Sequence, residues 1–267
     1  MRLWFGSSAI VILFLASAAS VDAQAKRNSR PQTPTPAARA TPETTPTPDR
    51  PKRNERPPAD GPDARDEQEP KPDANSPRYR YEFTQPDFIV SRIVIEHDDS
   101  GKGTIAFRRR SFDDDLTEPI TVSSKSLDVL RTAFDALNFV DSTEDYQFER
   151  DLSNMGNIAI TLKRDGKERT AKYNWTSNKD AKILMDEYRR LANQFVWVFD
   201  FNLARENQPL DTPKLVESLD GLLKRNEIAD PVQMLPFLVS VSNDERVPLI
   251  GRNRAGKLVK QIEKQKN

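Results

Sequence analysis

The chain contains no cysteine, and that absence excludes several classes of chemistry together. Without a thiol there is no disulfide, no thiolate metal cluster, no cysteine nucleophile and no lipid-modified cysteine. Histidine is almost as scarce, because His97 is the only one in 267 residues, so a zinc site with two or three imidazoles is excluded. Basic and acidic residues number 41 each, so the net charge of zero gives no reason to expect a nucleic-acid partner.

The first apolar segment of the chain has the layout of a signal peptide. Arg2 supplies a positive charge, residues 3–19 are almost uncharged, and small residues around Ala23 fit a cleavage site. We therefore predict a cleaved signal peptide over residues 1–23, export to the periplasm or the medium, and no membrane contact after cleavage. The alternative is an uncleaved helix that holds the protein in the inner membrane, since the apolar run approaches the length that spans a bilayer.

Residues 24–80 contain few apolar side chains other than alanine, and they are rich in proline, threonine and charged residues. Such a composition offers no core to offset the chain entropy that folding would cost. We predict a disordered spacer with a bias toward extended polyproline II conformation. Its Thr-Pro pairs are either sites for O-linked sugars or part of an unmodified linker.

The hydrophobic pattern changes after Tyr81. Ile93 and Ile95 alternate with polar residues as in a strand, and the pair Asp165-Gly166 is typical of a two-residue hairpin turn. One segment with helical spacing precedes the hairpin and a second follows it, and the aromatic stretch Phe195–Phe199 in the second is interpreted as helix although its residues also favour strands. For residues 81–206 we predict an α+β domain with an antiparallel sheet of about five strands and two packed helices.

Residues 207–267 show only helical patterns. Asp211-Thr212-Pro213 is a good helix start, and further helices are expected near Pro231 and Pro248. The stretch 230–258 is similar to a single HEAT-type repeat, but such units need neighbours to bury their faces. We therefore predict an all-helical C-terminal extension that contains an ordinary helical hairpin docked on the α+β domain.

The candidate catalytic residues are few. His97 stands beside Asp98 and Asp99, and an imidazole flanked by carboxylates is the arrangement of a general base. Asp114 belongs to a second acidic cluster after the arginine triplet, so these four residues form the best available group for a carboxylate-dependent envelope hydrolase. The simpler interpretation is that His97 is an ordinary residue beside a hairpin turn and that Asp114 belongs to a solvated acidic loop.

The arginine triplet is the remaining candidate site. Strand alternation sends Arg108 and Arg110 to one face, where two guanidinium groups would contact an anion. The other explanation is charge on an edge strand that discourages association between sheets. The sequence has no glycine-rich phosphate loop, nucleophile elbow or His-Glu-x-x-His motif, and we predict neither a cofactor nor a metal site.

The layout therefore favours an exported, non-catalytic interaction module on a disordered tether over an enzyme. Its predicted partner is an envelope or extracellular protein or polymer, contacted through strand edges or the C-terminal helical face. The hydrolase and the membrane-anchored protein remain as alternative hypotheses.

Overall fold

In a computed structural model of the protein, the residues described are 78–110 and 114–266. The predicted signal peptide, the predicted spacer up to residue 77 and part of the acidic loop lie outside these ranges, so the expectations for them stay predictions. Within the two ranges, no helix combines the length and the apolarity that a bilayer-crossing segment requires.

Six strands and five α-helices make up this part of the chain. The strands are β1 (Arg78–Thr84), β2 (Val90–Asp98), β3 (Lys102–Arg109), β4 (Leu116–Thr121), β5 (Asn157–Arg164) and β6 (Lys167–Tyr173). The α-helices are α1 (Ser124–Ala136), α2 (Lys179–Asn207), α3 (Thr212–Lys224), α4 (Leu235–Asn243) and α5 (Leu249–Lys266).

All six strands form one antiparallel sheet in the order β4-β3-β2-β1-β5-β6. The predicted α+β class with a helical C-terminal part is thus confirmed, with one strand more than expected. The additional strand is β1, which lies inside the sheet between β2 and β5. It begins at Arg78, so the last three residues of the predicted spacer belong to this strand.

One face of the sheet is buried and the other is open. Tyr79, Tyr81 and Phe83 of β1 point into the core, while Arg80 and Glu82 between them lie on the open face. The period of two along each strand produces this division. Helices α1 and α2 cover the buried face, which gives the sheet its hydrophobic core.

Local signals define the connections. Asp165 and Gly166 have φ angles of 54° and 73°, as the predicted two-residue hairpin turn requires. Helix α1 is capped by Ser123, whose side chain accepts a hydrogen bond from the backbone N–H of Ser126. Helix α2 is capped by Asn178, whose side chain accepts from the backbone N–H groups of Asp180 and Ala181. In both helices the cap thus provides a partner for an N–H group of the first turn.

Helix α2 is 29 residues long and belongs to two cores. Its first half contributes Leu184, Tyr188 and Leu191 to the core under the sheet. Its second half contributes Trp197 and Phe201 to a separate apolar core formed with α3, α4 and α5. The helical interpretation of Phe195–Phe199 is therefore confirmed. The predicted domain boundary at residue 206 lies next to the end of α2. The change from one core to the other takes place earlier, within the helix.

The helical core is also tied to the sheet by polar contacts. Buried Gln194 of α2 donates to the side chain of Gln233, which in turn donates to the backbone carbonyl of Thr121 at the end of β4. Arg109 of β3 forms an ion pair with Asp200 of α2. Helices α4 and α5 pack against each other as an ordinary hairpin, in keeping with the predicted arrangement.

Candidate functional site

His97 lies on the buried face of β2, and only 4 % of it is exposed. Its Nδ1 atom is 2.9 Å from the backbone carbonyl of Asp98, and its Nε2 atom is 3.1 Å from the hydroxyl of Tyr188 on α2. The ring of Tyr79 stacks on the imidazole with centroids 4.8 Å apart. Both ring nitrogens therefore already have protein partners, and little of the ring is open to a substrate.

These contacts define the protonation state of His97. A carbonyl can only accept, so Nδ1 carries the proton, and Tyr188 must donate its hydroxyl proton to Nε2. Burial lowers the pKa of His97 because the charged imidazolium would be poorly solvated, although Asp98 and Asp99 act in the opposite direction. The ring is thus held neutral by its surroundings, as a packing residue would be.

Asp98 and Asp99 stabilise the turn between β2 and β3. The Asp98 carboxylate accepts hydrogen bonds from the backbone N–H groups of Ser100 and Lys102. Slight burial would raise the pKa of Asp98, but the hydrogen bonds from Ser100 and Lys102 outweigh it and the pKa is lowered. The Asp99 carboxylate accepts hydrogen bonds from the hydroxyl of Tyr79 and from Arg131 on α1. Both carboxylates thus have structural partners.

Asp114 lies at the opposite end of the sheet from His97. His97 pairs with Gly103 at one end of β3, whereas Leu116, two residues after Asp114, pairs with Phe107 near the other end. Four residues along a strand separate these positions by about 13 Å. The structure therefore brings His97, Asp98 and Asp99 together but leaves Asp114 apart from them.

Neither of two surface concavities within the described ranges is lined by a candidate catalytic residue. One, of about 260 Å³, lies between the end of α1 and the β5–β6 hairpin. The other, of about 470 Å³, lies where Glu82, Gln147 and Lys172 approach one another on the open face of the sheet. A hydrolase that used His97 or Asp114 would need a concave polar pocket around those side chains.

The two arginines predicted to contact an anion are engaged within the protein. Nε of Arg108 is 2.8 Å from the carboxylate of Asp115, which also accepts from Arg92. Arg110 follows the end of β3 and donates to the backbone carbonyl of Asp87 at 3.4 Å. The positive charge of Arg108 is therefore largely compensated, and the pair does not form an open cationic clamp.

The sequence did not indicate that the tyrosines form a cluster. All five tyrosines of the chain, at positions 79, 81, 146, 173 and 188, are buried in the core under the sheet. Tyr81 and Tyr188 stack with centroids 4.9 Å apart. Burial raises the pKa of Tyr81 to about 12 and that of Tyr188 well above its ordinary value. These phenols therefore stay neutral and act as hydrogen-bonding core residues.

A second feature missed from the sequence is a group of exposed apolar side chains at one end of the helical core. Leu210 is 84 % exposed, Leu249 is 62 % exposed and Ile250 is 56 % exposed. Leu210 precedes α3, and the first turns of α3 and α5 are in contact, since Arg254 donates to the carbonyl of Pro213. Leu210, Leu249 and Ile250 form what we term the apolar end.

Helical spacing alone did not indicate this group, because Leu210 and the pair Leu249-Ile250 belong to the ends of different helices. Arg205 and Asp244 approach within 3.6 Å and connect the ends of α2 and α4 on this side. Exposed charged residues of both signs flank the members of the apolar end in sequence, since Asp211 and Lys214 follow Leu210 and Arg246 precedes Leu249. Polar residues around an apolar centre are common at protein interfaces, and we term these three the rim residues.

Across residues 78–110 and 114–266, no group of three or more histidine, aspartate and glutamate side chains has an arrangement suited to a metal ion. No protein-family model and no curated protein sequence matches this chain.

Proposed function

We propose that this protein is an exported, non-catalytic interaction module that binds another envelope or extracellular protein through its apolar end. The observation that carries the proposal is the concentration of exposed aliphatic side chains there. Of the seven exposed large apolar side chains in the described ranges, Leu210, Leu249 and Ile250 are three. Scattered exposed apolar residues are ordinary, but a contiguous group marks an interaction surface.

The chemistry of the apolar end favours a protein partner over a sugar polymer. Its three members are aliphatic, and none offers the ring or the hydrogen-bonding group with which proteins hold hydroxyl-rich ligands. Leucine and isoleucine gain free energy when they are removed from water against other apolar side chains, at roughly 25 cal/mol per Å² buried. The rim residues Asp211, Lys214 and Arg246 would supply polar contacts around such a centre.

The enzyme hypothesis receives less support from the geometry. His97 is buried with both nitrogens occupied, and Asp114 lies at the other end of the sheet. A carboxylate-dependent mechanism needs its acid and base within hydrogen-bond reach of one substrate. The predicted spacer over residues 24–80 suits the binding proposal, because a flexible tether lets a module reach its partner and raises its local concentration.

The binding test places a photo-crosslinking benzophenone residue at position 249 of the mature protein and, as a matched control, at position 183. Ile183 is 41 % exposed on α2, away from the helical core. We expect a crosslinked envelope protein from position 249 only. The double variant Leu249→Asp with Ile250→Asp should reduce recovery of that protein at least about tenfold, while Ile183→Asp leaves it unchanged. Equal crosslinking from both positions would refute the proposed surface.

Export is tested separately by sequencing the N-terminus of the mature protein. Cleavage after the predicted signal peptide should give a start near Gln24. A start at Met1 would instead support the membrane-anchored alternative.

A further inference from the structure

We infer that strand β6 is a self-association site through which two copies of this chain join their sheets into one continuous antiparallel sheet. This inference goes beyond the proposed function, because the partner is a second copy of this chain and not an envelope protein, and because the surface is different. Strand β6 forms one edge of the six-stranded sheet and β4 forms the other. The two edges differ in whether their outward backbone groups are available.

The hairpin turn determines which residues of β6 direct their backbone groups outward. Arg164 and Lys167 flank a two-residue turn, so they form a hydrogen-bonded pair, and the ladder alternates from there. Residues 167, 169, 171 and 173 therefore bond to β5. The N–H and C=O groups of Glu168, Thr170 and Lys172 point away from the sheet, and none of these six groups has a hydrogen-bond partner within the described ranges.

The other edge is closed by two features. Pro119 of β4 pairs with Thr104 and has no N–H to offer at an outward position. The carbonyl of Thr121, also outward, already accepts a hydrogen bond from Gln233. Edge strands without such protection are templates for added strands. The free length of β6 is itself limited, because the loop residue Gln147 accepts from the N–H of Asn174 just beyond the strand.

The charges of β6 select a second copy as the occupant of this edge. When β6 is placed antiparallel to itself around Thr170, Glu168 of each copy stands opposite Lys172 of the other, and Thr170 stands opposite its own counterpart. Opposite charges and threonine pairs across strands are stabilising. Glu168 and Lys172 are exposed, and neither forms an ion pair within its own chain in the ranges described.

The same charges disfavour other registers. A pairing centred on residue 168 places two glutamates opposite each other, and one centred on residue 172 places two lysines opposite each other. Like charges directly across a strand pair are destabilising. Only the register centred on Thr170 satisfies both charges and all six outward backbone groups, so the expected product is a closed two-fold dimer rather than a fibre.

The test measures self-association of the full mature chain by sedimentation velocity over a concentration series. Thr170→Pro removes the outward N–H at the centre of the interface without affecting the bonds to β5. It should raise the dimer dissociation constant at least about tenfold. Thr117→Pro in β4 is the matched control, because it makes the same change at an outward position of the other edge, and it should leave the constant unchanged.

A charge exchange keeps the inference testable if Thr170→Pro fails to fold. Glu168→Lys alone and Lys172→Glu alone should each weaken self-association, because like charges then meet in the homodimer. An equimolar mixture of the two variants should restore dimers as heterodimers, since every cross-strand pair is again opposite in charge.

Two results would overturn the inference. One is a chain that stays monomeric at every concentration. The other is self-association that Ile250→Asp abolishes and Thr170→Pro leaves intact, which would assign the contact to the apolar end. If the Ile250→Asp variant still dimerises but no longer crosslinks to the envelope protein, the result supports the two proposals separately.

Discussion

The two cores that share α2 differ in chemistry. The core under the sheet contains all five tyrosines and the only histidine, and its aromatic residues are linked by hydrogen bonds such as that between Tyr188 and His97. The core of the helical part contains aliphatic residues, Trp197 and Phe201, with no tyrosine or histidine. The stability of the core under the sheet therefore depends on hydrogen bonding and on the protonation of His97, while the stability of the helical core depends mainly on packing.

The two cores also differ in whether their side chains are used within the protein or exposed to a partner. The core under the sheet uses its polar groups internally, so that the candidate catalytic side chains His97, Asp98 and Asp99 are occupied by protein partners. The helical core also has polar contacts at its margin, such as the ion pair between Arg205 and Asp244, but aliphatic residues such as Leu210 and Ile250 are exposed at its surface. Exposed apolar surface is the more direct indication of a partner.

The largest expected effect is a packing loss in the helical core. Phe201 is fully buried and lies against Trp197 and Phe237, with ring centroids 5.3 and 5.6 Å apart. Phe201→Ala should lower the free energy of unfolding by about 3–5 kcal/mol through lost burial and a residual cavity. Urea unfolding followed by tryptophan fluorescence measures the change.

The loss caused by Phe201→Ala should be the same at pH 5.5 and pH 7.5, because no histidine or tyrosine belongs to the helical core. Leu210→Ala is the matched control, because Leu210 is 84 % exposed and its truncation should change stability by less than about 0.5 kcal/mol. A loss from Phe201→Ala that varied with pH would contradict the separation of the two cores.

A smaller effect is expected from a single hydroxyl group in the other core. Tyr188→Phe leaves Nε2 of His97 buried without a donor, which should cost about 1–3 kcal/mol. The lost hydrogen bond had favoured neutral His97, so the pKa of His97 should rise in the variant. Urea unfolding gives the first quantity, and NMR titration of the single imidazole gives the second. An unchanged His97 titration would show that Tyr188 does not donate to it.

The elements that local patterns define were predictable from the sequence. The Asp165-Gly166 turn and the helical course through Phe195 follow from φ preferences and periodicity. Strand β1 was missed because its aromatic residues alternate with Arg80 and Glu82, which continue the charged composition of the preceding stretch. Its position between β2 and β5 depends on pairing with residues up to 85 positions away, which no local pattern contains.

The candidate site was less predictable than the fold for the same reason. The neighbours Glu96, Asp98 and Asp99 gave His97 the profile of a base, whereas its environment is set by Tyr188, 91 residues later. The apolar end combines Leu210 before α3 with Leu249 and Ile250 at the start of α5, and each of them alone resembles an ordinary exposed leucine or isoleucine.

The smallest expected effect is the pH dependence that His97 gives to the core under the sheet. Burial lowers the pKa of His97, and Tyr79, Tyr188, Asp98, Asp99 and Arg131 surround it. The unfolded chain, with an ordinary histidine pKa near 6.5, therefore binds a proton more readily than the native protein. Stability should be fully present above about pH 6.5 and decrease as the pH falls through that value toward the lower native pKa, with a slope of at most about 1.4 kcal/mol per pH unit.

His97→Asn isolates this contribution, because asparagine retains a donor for the carbonyl of Asp98 and does not titrate. Urea unfolding of both proteins between pH 5 and 8 should show that the wild type loses stability relative to the variant as the pH falls. Asp200, whose pKa burial raises in spite of Arg109, is present in both proteins and has the opposite dependence, so it cancels in the difference. Parallel stability curves would mean that His97 has the same pKa in the native protein as in the unfolded chain. Burial in the core under the sheet would then not affect the titration of His97, which would contradict the chemical distinction between the two cores.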